Sequence, residues 1–89
     1  MKAIVTVIGK DRVGITAAVC ALLAQHNINI LDISQTVLHD YFTMVMLVDT
    51  AACTASIGEM ADLLEQAGKE QELSIRIQRE DIFNAMHRI

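Results

Sequence analysis

Ile4-Val5-Thr6-Val7-Ile8-Gly9-Lys10-Asp11-Arg12-Val13-Gly14-Ile15 reads as a strand, a break and the first turn of a helix. The run Ile4 to Ile8 is short, apolar and β-branched, and it stops at a glycine. From Ile15 onward Ile15, Ala18, Val19, Leu22 and Leu23 recur at i, i+3, i+4, i+7 and i+8, the spacing of one helix face. A chain that leaves a strand at Gly9 and turns into a helix a few residues later presents backbone N–H groups with no partner inside the helix. Those donors, with the helix dipole, favour a carboxylate or phosphate. A second stretch, Asn27-Ile28-Asn29-Ile30-Leu31-Asp32, follows that helix. The pair suggests a small-molecule binding corner, and sensing rather than chemistry.

The same reading continues along the chain. It predicts strand 2–9, helix 13–25, strand 29–39, strand 41–49, helix 55–68, strand 72–79 and a short tail helix 80–88. The second helix repeats the template with Ile57, Met60, Ala61 and Leu64. Ser56 and Glu59 have capping-box spacing, and Gly68 is a natural stop. His39-Asp40-Tyr41 is polar between two β-rich runs and reads as a hairpin turn. Leu73 to Gln78 alternates as a half-exposed strand does, and the strand from Ile30 carries Asp32, Ser34 and Thr36 on one face. Ala3–Ile8 and Thr43–Val48 are nearly apolar on both faces. Strands one and three are therefore central, and strands two and four are edges. Order 4-1-3-2 in a βαββαβ chain is an α+β, ferredoxin-like sandwich: a four-stranded antiparallel sheet with two helices on one face. The expected division is a domain at 1–79 and an amphipathic helical extension at 80–89.

Two helices cover only one face of four strands. The expected cover for the other face is the tail, where Ile82, Phe83, Met86 and Ile89 share a side, or a second subunit. The first helix carries no charge from Gly14 to Gln25, and its outward side offers Ala17, Cys20, Ala21 and Ala24. A solvated helix normally shows Lys or Glu there. Small uncharged residues predict close approach of another chain, hence a homodimer; a merely alanine-rich helix is the alternative.

At 89 residues the chain is one domain with one modest core. Its hydrophobic fraction is high, at 53%, yet no apolar stretch approaches the ~20 residues that span a bilayer. The N-terminus runs straight into a strand without the features of a signal peptide, so a cytoplasmic location is expected, with no membrane partner. The net charge of −4 and the scarcity of aromatics (Tyr41, Phe42, Phe83) argue against a nucleic-acid surface. Cys20 and Cys53 form no C-x-x-C and read as reduced structural cysteines.

The sequence resembles an ACT domain, a small regulatory module attached to many enzymes of amino-acid metabolism. The resemblance covers residues 2–79. It rests on the βαββαβ order, on a D-R-x-G-[IL] signature at Asp11-Arg12-Val13-Gly14-Ile15, and on the N-I that opens strand two at Asn29-Ile30. The opening Met1–Asp11, the stretch Asp32–Val37 and the tail Ile82–Met86 are also similar to stand-alone bacterial ACT proteins. The resemblance implies an amino acid bound between the first loop of one subunit and the start of strand two of another. Asp11 matches the loop's polar ligand position, Gly14 the glycine that admits the ligand, and Asn29 the strand-two asparagine. Gly9 is a departure, since some amino-acid-binding members carry a side-chain donor there, often His.

Chemically, N–H groups from Val13, Gly14, Ile15 and Thr16 suit an α-carboxylate, Asp11 suits an α-ammonium, and the Asn29 amide serves either. Together with Arg12 these form the expected ligand-binding set. The plain alternatives are a helix N-cap for Asp11, close helix–strand packing for Gly14 and a self-satisfied turn for Asn29.

Other patterns carry less. Gly9-x-x-x-x-Gly14 resembles a phosphate loop, but Ile15 stands where the lysine is needed. His26, His39 and His87 share no metal-ligand spacing. Met44 and Met46 read as core filling. No cofactor or metal and no catalytic residue is expected. Three functions stay open: an amino-acid-sensing homodimer acting on a partner protein, a ligand-free dimerisation or adaptor module, and a dimeric α+β barrel enzyme. The last needs acid/base groups on the open sheet face, where only Thr6, Thr43 and Gln35 offer themselves.

Overall fold

The computed structural model describes residues 1–81. It consists of β1 (Lys2–Lys10), α1 (Ile15–Gln25), β2 (Asn29–Leu38), β3 (Tyr41–Asp49), α2 (Ile57–Glu70) and β4 (Leu73–Arg79). The sheet order is β2-β3-β1-β4 with every pairing antiparallel, the arrangement expected from the strand patterns. The expected tail helix, the 80–89 extension and the apolar side at Ile82, Phe83, Met86 and Ile89 lie outside the described residues, apart from the first two positions.

One sheet face carries Ala3, Val5 and Val7 of β1, Phe42, Met44, Met46 and Val48 of β3, and Leu73, Ile75 and Ile77 of β4, all buried. Ile15, Val19 and Leu23 of α1 and Met60 and Leu64 of α2 close over them to form one core. The period of 2 in the strands meets the period of 3.6 in the helices on that face. The other face is open, and there β1 and β3 present Ile4, Thr6, Ile8, Thr43, Val45 and Leu47, partly buried or exposed. A bulge at Leu31, between the pairs Ile30–Val48 and Asp32–Leu47, flips the alternation of β2. From there Asp32, Ser34 and Thr36 face the open side, and Gln35 faces the helices. Gln35 therefore does not join Thr6 and Thr43 on the open face, as the barrel reading required.

Element ends follow local chemistry. α1 begins at Ile15, two residues later than expected, because Gly14 sits at φ 92 and cannot be helical. Its C-terminus closes with Ile28 N–H donating to the Leu23 carbonyl and Asn27 N–H to that of Ala24, while Asn27 takes φ 59. This is a Schellman turn with asparagine in the left-handed position. α2 starts at Ile57 because Ser56 and Glu59 form the expected reciprocal capping box. It does not stop at Gly68 but runs to Glu70. Gly68 instead lets β4 approach, since a Cβ there would lie 2.5 Å from the Leu73 carbonyl oxygen. The hairpin turn falls at His39-Asp40, with His39 at φ 56.

Candidate functional site

The loop between β1 and α1 is built around Gly14. Its left-handed φ is one that a side chain rarely tolerates, and a Cβ there would meet nothing within 4 Å. Open space beside it excludes close helix–strand packing as the reason for this glycine. Gly14 is the N-cap of α1 and supplies no side-chain acceptor, and no acidic residue lies in the first turn. The first hydrogen bond made within the helix is that from Ala18 N–H to the Gly14 carbonyl, at 3.0 Å. The amides of Ile15, Thr16 and Ala17 therefore open the helix without a side-chain cap, and the positive end of the dipole meets solvent.

Two ties hold the loop from outside. Asp11 N–H donates to the Asp40 carbonyl at 2.7 Å, fastening the loop to the β2–β3 turn. Arg12 reaches across to the α2–β4 turn, where its Nη2 donates to the Gln71 carbonyl at 2.6 Å. Asp11 is thus not the helix N-cap, and its exposed carboxylate projects from a loop fixed by its own backbone. Arg12 is engaged with Gln71, Val13 is wholly exposed, and the side chain of Ile15 lies in the core, so only the backbone of Ile15 faces the loop.

Asn29 stands elsewhere. It opens β2 opposite Asp49, which in turn pairs with Lys2, whereas Asp11 follows the Lys10–Tyr41 pair at the far end of the sheet. Eight residue steps of strand separate the two ends, about 26 Å at ~3.3 Å per residue. Asn29 is also not the turn residue, a role taken by Asn27. Within one chain the six expected ligand residues divide into a group of five at one end and Asn29 at the other.

One neighbour of the loop escaped sequence reasoning. Thr16 Oγ1, in the first turn of α1, donates to Gln35 Oε1 at 3.1 Å. The sequence reading sets Gln35 beside Thr6 and Thr43, and its meeting with Thr16 needs both the bulge at Leu31 and the path of α1 over the sheet. Gly9, the family departure, lies under Leu73, and a Cβ on it would come within 2.4 Å of that side chain. A groove runs between α2 and β4, past Ala61, Glu65, Lys69 and Arg76, and touches none of the six residues. A concave shape alone is weaker guidance here than the open helix terminus.

At the other end of the sheet Asp49 Oδ1 accepts the Ala51 N–H at 2.9 Å and lies 3.6 Å from the terminal amine. The Ala51 hydrogen bond, helped by the amine and Lys2, holds its carboxyl below the ordinary 3.8.

The ACT domain model matches residues 2–78. A UPF0237 protein of Clostridium acetobutylicum is 53% identical over 89 residues, covering 100% of both chains. The ACT domain protein from Streptococcus pneumoniae superposes with a TM-score of 0.84 at 42% identity, covering 93% of each chain. Part of a formyltetrahydrofolate deformylase from Pseudomonas syringae pv. tomato has the same fold, with a TM-score of 0.79 at 23% identity over 88% of this chain and 27% of that one. No helix among the described residues is long and apolar enough to cross a membrane. With the family's fold, strand order and loop signature all present in one chain, the protein belongs to the ACT domain family.

Proposed function

We propose that the chain is a regulatory module that binds an amino acid, or a similar small metabolite, between two copies of itself and acts on a partner protein. The α-carboxylate sits on the open amides of α1, and Asp11 takes the α-ammonium. Asn29 of a second copy completes the site. The observation that carries this reading is the separation of Asp11 from Asn29 along the sheet, which one chain cannot bridge. Antiparallel pairing of two β2 edges brings the start of one strand beside the end of the other. There the His39–Asp40 turn holds the Asp11 loop.

Two features support that pairing. β2 is an edge strand of ten residues, nearly all exposed, with Leu31, Ile33, Val37 and Leu38 uncovered. Such an edge invites another strand. The outer side of α1 carries the exposed Ala17, Ala21 and Ala24 and no charge. The ligand then shifts the module by binding one inter-subunit arrangement better than another.

The test is a thermal-shift screen against the twenty amino acids, with Asp11→Ala and Asn29→Ala as variants. A ligand at 100 times its Kd adds roughly 2.7 kcal/mol, which moves the midpoint of a domain this small by about 10 °C or more. Each variant alone is expected to lose the shift. Mixing the two after unfolding and refolding restores part of it, because a mixed dimer holds one intact site. No restoration would overturn a site shared between copies. A flat screen would favour the ligand-free adaptor, the reading that the side-chain-free Gly9 also suits.

A further inference from the structure

We infer that the outer edge of β4, with the groove beside α2, docks an extended peptide of a partner protein. The peptide alternates apolar and acidic residues and adds to the four-stranded sheet as a fifth strand. The direction of the backbone groups on β4 follows from two hydrogen bonds at the ends of β1. Thr50 N–H donates to the Met1 carbonyl and Asp11 N–H to the Asp40 carbonyl, and both continue the register of β1 with β3. Backbone groups alternate in direction along a strand, so odd-numbered residues of β1 bond to β3 and even-numbered ones to β4. The partners of Ile4, Thr6 and Ile8 on β4 are Gln78, Arg76 and Ser74. Leu73, Ile75 and Ile77 therefore turn their N–H and C=O groups outward. The close approach at Gly68 agrees, since a Cβ there would meet the Leu73 carbonyl oxygen and lie 3.4 Å from the Ile75 nitrogen. Beyond that point, among the described residues, nothing outside the sheet bonds to the Ile75 carbonyl or to the backbone of Ile77.

The groove has a volume of about 510 Å³ and is lined by Ala61, Glu65 and Lys69, one row of α2, and by the consecutive residues Leu73–Gln78. Successive side chains of a strand point to opposite faces, so a surface that touches all of them runs along the edge. Ile75 and Ile77, whose side chains lie in the core, meet it through their backbone. A peptide added to such an edge is held by main-chain hydrogen bonds and selected through its alternate side chains. Those on the helix side lie beside Ile75 and Ile77 and against Ala61, where apolar residues fit. Glu65 and Lys69 pair with each other there at 3.7 Å and call for no further charge. Those on the other side stand beside Ser74 and Arg76. Arg76 is exposed and joins none of the ion pairs among the described residues, which are Met1–Asp49, Glu65–Lys69 and Arg79–Asp81. An acidic residue opposite it completes a cross-strand pair. A second copy fits this edge poorly. Two β4 strands paired along their whole length set Arg76 against Arg76, and β2 of another copy makes a head-to-tail contact that does not close. That this surface is the module's output rests on the regulatory reading above. The docking itself does not, because the groove touches none of the six ligand residues.

Amide NMR of the full chain, titrated with end-blocked pentapeptides and with no amino acid present, tests it. A peptide alternating valine and glutamate, with valine at both ends, is expected to move the Ile77 amide signal and slow its hydrogen exchange. Its Kd should be at least about threefold below that of the same peptide with lysine for glutamate. N-methylation of one alternate set of its amides should abolish binding, and of the other set should leave it. Arg76→Glu should reverse the preference between the two peptides, which a misfolded chain cannot do. No movement of the Ile77 amide, or a preference unchanged in Arg76→Glu, overturns the proposal. So does movement of that amide with protein concentration alone, which would mean that a second copy fills the edge.

Discussion

Gly68 and Gly14 are both required, for different reasons, and substitution separates them. At Gly68 an added Cβ meets the backbone carbonyl of Leu73, which cannot rotate away. Gly68→Ala should cost about 1–3 kcal/mol in urea unfolding. At Gly14 the space is free and only the φ of 92 resists a side chain. Gly14→Ala should cost roughly 1–3 kcal/mol, and Gly14→Asn clearly less, because asparagine tolerates the left-handed region. Gly68→Asn should show no such relief. Asp49 gives the fold a dependence on pH. Its carboxyl is held low in the folded chain, so it contributes stability above its ordinary 3.8, and that contribution is lost as pH falls through the lower folded value. Asp49→Asn should therefore lower Tm at pH 7 and leave Tm at pH 2 nearly unchanged.

The two helices illustrate opposite uses of an N-terminus. α2 spends Ser56 and Glu59 on its own first turn, at 3.1 and 3.2 Å. Ser56→Ala should destabilise the fold by about 1 kcal/mol in thermal or urea unfolding. α1 has no such cap and leaves its amides open, so its stability comes from the core face of Ile15, Val19 and Leu23. Leu23→Ala, at a fully buried position, should cost about 2–5 kcal/mol. Both helices were legible from periodicity, and α2's start from the S-x-x-E spacing. Their exact ends were not, because Gly68 looks the same in sequence whether it ends a helix or admits a strand.

For the molecule as a whole, the question is which surfaces are covered by other chains. Ala21 is exposed on the uncharged side of α1, away from the core. Ala21→Glu should leave a folded chain with little change in Tm at low concentration, since glutamate is a good helix former. Sedimentation should nevertheless show the proposed β2-edge dimer weakened, and any amino-acid-induced shift in Tm should shrink with it. A dimer of unchanged strength would place its interface elsewhere.

Strand order, the central and edge strands and the capping box of α2 could all be read from the amino-acid order, because each depends on residues within a few positions of one another or on the apolar count of a strand's faces. The loop signature Asp11–Ile15 was legible in the same way. Folding in three dimensions settled the rest. Arg12 meets Gln71 across 59 positions, Asp11 is fastened to Asp40, and Gly9 and Gly68 lie against Leu73. It also set Asp11 and Asn29 at opposite ends of the sheet, although the sequence makes them near neighbours. Such contacts join segments that local patterning treats as independent, and only the register of the closed sheet brings them together or holds them apart.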